Sequence, residues 1–302
     1  MVSGRYWPHF CVNEYELLMK TILIPIDFST LSHSTAHFGL QLAQRLSARV
    51  VLLHVVQLAL PVPVLNAPMV QMMAWNDTLY EKMTQTLHQF QVEIGDYQRQ
   101  QELSSVPLST RLVVGQPVSG ILETAETEKA SFIIMGTVGA ANAWDKLIGS
   151  VTSSVAQQAN RPVWILPNAV ELDALRKFAY FADLEGDEVR CINQVMNLGE
   201  RLRASLEVVH VSTTADAEES DAADDIIGLF EDDYALKPIT FRHLTEESAP
   251  EGIETYVRSY QPDAIVLAHR NRGFIEKIFH TSLIRHLSLT TKRPLLIVSK
   301  PG

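Results

Sequence analysis

Residues 21–27 read TILIPID. An alternating apolar–polar run would mark a strand with one wet face. A nearly continuous apolar run that stops on an acid marks a strand covered on both faces, as in a parallel sheet between two helix layers. Working outward, Ser29 or Thr30 is placed to cap a helix with Leu31, Phe38, Leu42 and Leu46 on roughly one face. VVLLHVV (50–56) is a second buried strand, followed by a connection with Pro61, Pro63 and Pro68 and a helical stretch from about Asn76 to Gln101. Strands are expected at Leu108–Val113, Phe132–Met135 and Val163–Leu166, with helices at Val118–Lys129 and 150–159. Strands alternating with helices imply an α/β unit with a parallel sheet and right-handed crossovers.

The order then recurs. Asp183 follows Asp27 by 156 residues, and His210 in LEVVHVS follows His54 in VVLLHVV by the same 156. Arg293-Pro294 follows Arg161-Pro162 by only 132, so the second copy is 24 residues shorter, with the loss in its middle. A repeat of this length means a duplicated domain, with the boundary near Pro167 to Leu175. The expected units are residues 1–18 as an N-terminal extension (Met19 being a candidate true start), 19–168 and 176–302. A docked N-terminal segment is the alternative for residues 1–18.

The bulk numbers exclude several classes. The net charge of −10 disfavours a nucleic-acid partner, which needs clustered Lys and Arg. No apolar run approaches the roughly 18 residues of a membrane span, and the opening residues lack a secretory pattern. Cys11 and Cys191 make neither a metal spacing nor a disulfide framework, which points to a reducing, cytoplasmic setting.

The candidate for chemistry is the loop after the fourth strand, MGTVGAANAWDKLIGS (135–150), spaced Gly136-x2-Gly139-x9-Gly149-Ser150. In an open parallel sheet, ligands bind at the carboxyl ends of strands where the strand order reverses. Glycines let backbone N–H groups approach an anion, and the helix starting near Ser150 adds unpaired N–H groups and a favourable dipole. Asp27 faces the same crevice, where a carboxylate suits ribose hydroxyls or an adenine amine. Glycines between a strand and a helix also serve as a plain turn, so the repeat and Asp27 carry part of the argument. Neither the G-x-x-x-x-G-K-[ST] nor the G-x-G-x-x-G motif is present.

With these residues the chain resembles a tandem universal stress protein, two such domains in one chain, over about Met19 to Ser299. The ATP-binding members of that family carry G-x2-G-x9-G-[ST], which residues 136–150 match in full, and an Asp after the first strand, here Asp27. The resemblance implies two five-stranded parallel sheets of order 3-2-1-4-5 with helices on both faces. It implies that Pro25, Asp27, Val55 and Met135 enclose adenosine. Gly136, Gly139, Gly149 and Ser150 would hold ribose and phosphates, with Mg²⁺ accompanying ATP. It also implies that VWIL (163–166) and LLIV (295–298) pair, making the chain an internal pseudo-dimer. Pairing between chains is the other use of such an edge.

The second copy departs from the motif. His269 and Arg272 stand where the first has Gly136 and Gly139, and Thr281-Ser282 replaces Gly149-Ser150. It is expected not to bind ATP in the same way. Its basic run 269–286 reads as a solvated or interface surface, and its acidic run 216–233 as a solvated loop or helix start. His33 and His37 have ligand spacing without an evident third ligand. His54 and His210 read as satisfied core histidines. Met69, Met72 and Met73 read as packing or as a pocket cover.

Three functions stay open from sequence: a nucleotide-binding regulatory protein of the stress response with unknown protein partners, a slow ATPase, or a ligand-independent assembly module. Lys146 and Asp145 sit in no recognised catalytic pattern, so no catalytic residue is assigned.

Overall fold

The computed structural model describes residues 20–58, 69–137, 149–182, 188–213, 239–269 and 293–299. The N-terminal segment, the Pro-rich connection, Gly139, Asp145, Lys146, Asp183, Arg272, Thr281, Ser282 and the acidic and basic runs of the second copy (beyond the strand residue His269) lie outside the described residues. The first half runs β1 (Lys20–Pro25), α1 (Thr30–Leu46), β2 (Ala48–Val56), α2 (Met69–Gln100), β3 (Leu108–Val114), α3 (Pro117–Thr127), β4 (Ala130–Gly136), α4 (Ser150–Gln158) and β5 (Val163–Leu166). The second half follows with β6 (Lys177–Ala182), α5 (Glu188–Leu202), β7 (Ser205–Thr213), β8 (Ile239–Glu246), α6 (Ala249–Tyr260), β9 (Ala264–His269) and β10 (Leu295–Ser299).

The elements start where their residues dictate. Ser29 caps α1 by accepting from the Ser32 N–H, and Ser248 caps α6 by accepting from the Glu251 N–H. One expectation is corrected. The long helix begins at Met69, seven residues before Asn76. No Pro or Gly stands between Met69 and Ile94, so once Pro68 is passed nothing in the backbone delays helix formation.

All ten strands form one sheet of order β3-β2-β1-β4-β5-β10-β9-β6-β7-β8. Each half is parallel within itself and has the order 3-2-1-4-5. The halves meet where β5 and β10 pair antiparallel, with Leu295 opposite Ile165, Leu296 opposite Trp164 and Ile297 opposite Val163. The expected pairing of segments 163–166 and 295–298 is therefore present. Because this junction is antiparallel, the strand ends of the two halves point to opposite edges of the sheet.

Helices α1, α2 and α5 pack on one face, around Phe38, Phe90 and Ile192, and α3, α4 and α6 on the other, around Ile121, Val155 and Tyr256. Each core layer draws residues from both halves. The Trp164 ring lies 5.6 Å from Phe38 and 6.1 Å from Phe178, bridging the seam. The connection between halves is also tied down. The Leu172 N–H donates to Gln41 on α1 at 3.0 Å, and Leu172 and Leu175 are buried.

Candidate functional site

In the first half the chain leaves β1 toward one helix layer and leaves the neighbouring β4 toward the other. The carboxyl ends of β1 and β4 therefore part around a crevice, the switch point of the sheet.

The β1 lip is built on a short turn. Pro25 pairs in register with Leu53, and the Ile26 N–H donates to the Leu53 carbonyl at 2.8 Å, carrying the ladder one residue further. Asp27 then stands exposed. Its Oδ1 accepts from the Ser32 hydroxyl at 2.6 Å and from the Ser29 N–H at 3.1 Å, while its own N–H donates to Ser32 Oγ at 3.0 Å. Phe28 has a left-handed backbone, φ 64°, which costs a non-glycine residue roughly 1–2 kcal/mol. Its ring is held 4.4 Å from His54 and 5.9 Å from Phe90. His54 Nδ1 lies 2.8 Å from the Ile26 carbonyl, so Nδ1 carries the proton and donates.

The β4 lip frames the glycine loop. Gly136 ends β4, and a Cβ there would meet Leu31 of α1 at 2.6 Å. This glycine is thus favoured by helix packing, independently of any ligand. Thr152 Oγ1 donates to the Gly136 carbonyl at 2.9 Å, and the Gly149 N–H donates to the Thr137 carbonyl. These two bonds hold the end of β4 against the start of α4. Gly149 caps α4 with an extended backbone, and a Cβ there would come 3.3 Å from the Thr137 carbonyl. The first-turn amides of Ser150, Val151 and Thr152 have no acceptor within the helix, giving this end partial positive charge.

The apolar positions fall together on one face. Pro25 and Met135 lie two residues beyond the paired Leu23 and Ile133, and Val55 two beyond Leu53. Side chains two apart share a face of the sheet, here the face of α3 and α4. Val55 packs against α3 at Gly120, where a Cβ would meet its methyl at 3.0 Å. The second half repeats the device with Gly252 against Val211. It also repeats the histidine link, His210 Nδ1 to the Ala182 carbonyl at 3.0 Å.

A sequence model of the universal stress protein family matches residues 19–167 and again 180–299. The chain belongs to the universal stress protein family. Two universal stress proteins of Methanocaldococcus jannaschii are each 30% identical to it. One aligns over 156 residues, 51% of this chain and 86% of its own length. The other aligns over 167 residues, 50% of this chain and 96% of its own. A universal stress protein structure from Archaeoglobus fulgidus superposes with a TM-score of 0.70, covering 93% of this chain and 97% of that one at 20% identity, which shows the shared fold.

Within this universal stress protein fold, the α1 histidines turn toward α2. His33 Nε2 is 2.8 Å from Glu93, and the His37 ring stacks on Tyr97 at 3.5 Å. Burial, with His33 beside it, holds His37 below the usual histidine value against the pull of Glu171. Among the described residues no group of three or more His, Cys, Asp or Glu stands where it could hold a metal, and no helix is long and apolar enough to cross a membrane.

Ser32, Phe28 and the Gly120–Gly252 pair were not expected at the site. The pair had a signal, since its spacing of 132 is that of the two Arg-Pro dipeptides.

Proposed function

We propose that the first half, residues 19–168, binds an adenine nucleotide, ATP with Mg²⁺, in the crevice between the ends of β1 and β4. The chain then acts as a nucleotide-responsive regulatory protein of the stress response in the cytoplasm, without catalysis of its own. The unit 176–302 is its pseudo-dimeric half. One juxtaposition supports this most. The exposed Asp27 carboxylate stands on one lip, and the N-terminus of α4 on the other, in the half whose loop keeps G-x2-G-x9-G-[ST] complete.

The groups fit an adenine nucleotide. Phosphates suit the first-turn amides of α4 and the Ser150 hydroxyl. The Gly149 N–H is already given to the Thr137 carbonyl, so the amides offered to an anion are those that follow it in α4. Asp27 accepts from ribose hydroxyls or the adenine amine, and Pro25, Val55 and Met135 offer an apolar wall. Gly136 and Gly139 complete the phosphate loop. Mg²⁺, when bound, neutralises phosphate charge. The second half, with His269 and Arg272 in the glycine positions, does not bind ATP in this manner.

The test is mass analysis of small molecules released by denaturing freshly purified protein, with equilibrium dialysis against ATP and GTP. An adenine nucleotide in the release, and ATP preferred over GTP, is the expected result. No release and no ATP retention would leave the ligand-independent assembly module as the better account. Phosphate release under saturating ATP would instead show an ATPase.

A further inference from the structure

The Ser32 hydroxyl, in the second residue after the start of α1's first turn, makes two contacts with one residue. It donates to Asp27 Oδ1 at 2.6 Å and accepts from the Asp27 N–H at 3.0 Å. Ser32 is buried, at 7% exposure, whereas Asp27 is exposed. A buried hydroxyl that grips both ends of an exposed acid fixes the direction of its carboxylate. The Ser29 N–H on the same Oδ1 adds a second donor, so two donors fix this carboxylate oxygen.

The second half carries a paired exchange at the same place. At the repeat spacing of 156, Ser32 corresponds to Glu188 and Ile24 to Tyr180. Glu188 is buried, at 3% exposure, and its Oε1 accepts from the Tyr180 hydroxyl at 2.7 Å. A carboxylate there has no hydroxyl proton to donate when ionised, and this one is engaged as the acceptor of Tyr180.

We propose that Ser32 positions Asp27 to accept from a hydrogen-bond donor of the bound nucleoside, and that the exchange of this serine for Glu188 removes the same function from the second half. This rests on the nucleotide reading of the first half. Two nucleoside groups offer the required chemistry, the ribose hydroxyls and the adenine amine. In either case a misdirected carboxylate loses about tenfold in affinity for the group it recognises.

The experiment measures dissociation constants of the full chain for ATP, 2′,3′-dideoxy-ATP and inosine triphosphate. Variants are Ser32→Ala, the near-isosteric Ser32→Cys, and Ser32→Glu, which copies the second half. Thermal midpoints without nucleotide are measured alongside. In the parent chain ATP is expected to bind about tenfold tighter than one of the two analogues. The dideoxy analogue identifies the ribose and the inosine analogue the amine. In Ser32→Ala that ratio is expected to fall toward one with the midpoint little changed, and in Ser32→Cys to an intermediate value. Ser32→Glu is expected to lose ATP binding about a hundredfold.

A folded Ser32→Ala that keeps both ratios would overturn the positioning function and leave nucleotide binding standing. If Ser32→Ala does not fold, unchanged ratios in Ser32→Cys would do the same. Tight ATP binding by Ser32→Glu would overturn the explanation of the second half. Absence of ATP binding in the parent chain would overturn both the positioning function and the nucleotide reading.

Discussion

Trp164 of β5 stands opposite Leu296 of β10, and its side chain is closed from solvent. This pair sits at the seam where two parallel sheets of five become one sheet of ten. The tryptophan also touches the layers of both halves, through Phe38 of α1 and Phe178 of β6. The halves therefore share both core layers, and the carboxyl ends of their strands point to opposite edges of the sheet.

A shared interior means shared stability. Trp164→Ala is expected to destabilise the chain by about 3–5 kcal/mol. Calorimetry should show a single transition in the parent chain, lowered as a whole in the variant. Two transitions, with only one displaced, would show that the halves unfold separately.

Gly136 faces Leu31 so closely that a methyl group has no room, with Leu31 Cδ2 2.6 Å from a Cβ position. Gly136→Ala is expected to cost about 1–3 kcal/mol. Trimming the obstacle in a Gly136→Ala, Leu31→Ala double variant should recover part of that loss. Simple additivity of the two single effects in urea unfolding would count against the contact.

Glu207 is buried on β7 and accepts from Tyr256 at 2.6 Å and Arg242 at 2.5 Å, with Lys177 at 3.2 Å. Burial raises its proton affinity, but these donors outweigh burial and hold it below the usual glutamate value. The stabilisation is full above the unfolded value, about 4.3, and is lost as pH falls through the folded one. Glu207→Gln should be less stable at neutral pH and lose less stability on acidification. Parallel acid curves for the two chains would contradict this.

His37 loses stability in the same direction of pH, although its favoured form is neutral rather than charged. Its folded value is lowered by burial beside His33, so as pH falls below about 6.5 the unfolded chain takes up the proton first. Stability is full above that pH and declines below it. His37→Gln is expected to flatten the curve of urea midpoint against pH between about 6.5 and 5. An unchanged slope would show that burial beside His33 does not disfavour the charged ring.

Much of the fold was legible because burial writes itself into composition. TILIPID and VVLLHVV read as two-face-buried strands; β1 and β2 contain them except for Ile26 and Asp27, and most of their strand residues are buried. The seam was legible from VWIL and LLIV, two apolar segments ending repeated units. The start of α2 was not, because helix formation there follows from the absence of a breaker after Pro68, which no periodicity announces.

The geometry of the candidate site was legible in part. Pro25, Val55 and Met135 share a face, as strand alternation requires, and Gly149 and Ser150 open α4. Gly136 illustrates the limit of a motif, since its lack of a side chain already answers to Leu31. Ser32 was hidden for a similar reason. A serine early in a helix looks like part of a cap, and only its distances to Asp27 show that it grips the acid.

The proposed function requires one nucleotide site per chain, in the first half. Calorimetric titration of nucleotide-free protein with ATP and Mg²⁺, repeated for Gly139→Arg, tests it most directly. The expected result is about one ATP per chain in the parent protein, and none in a Gly139→Arg variant with an unchanged thermal midpoint. Two ATP per chain, or full binding by Gly139→Arg, would contradict it.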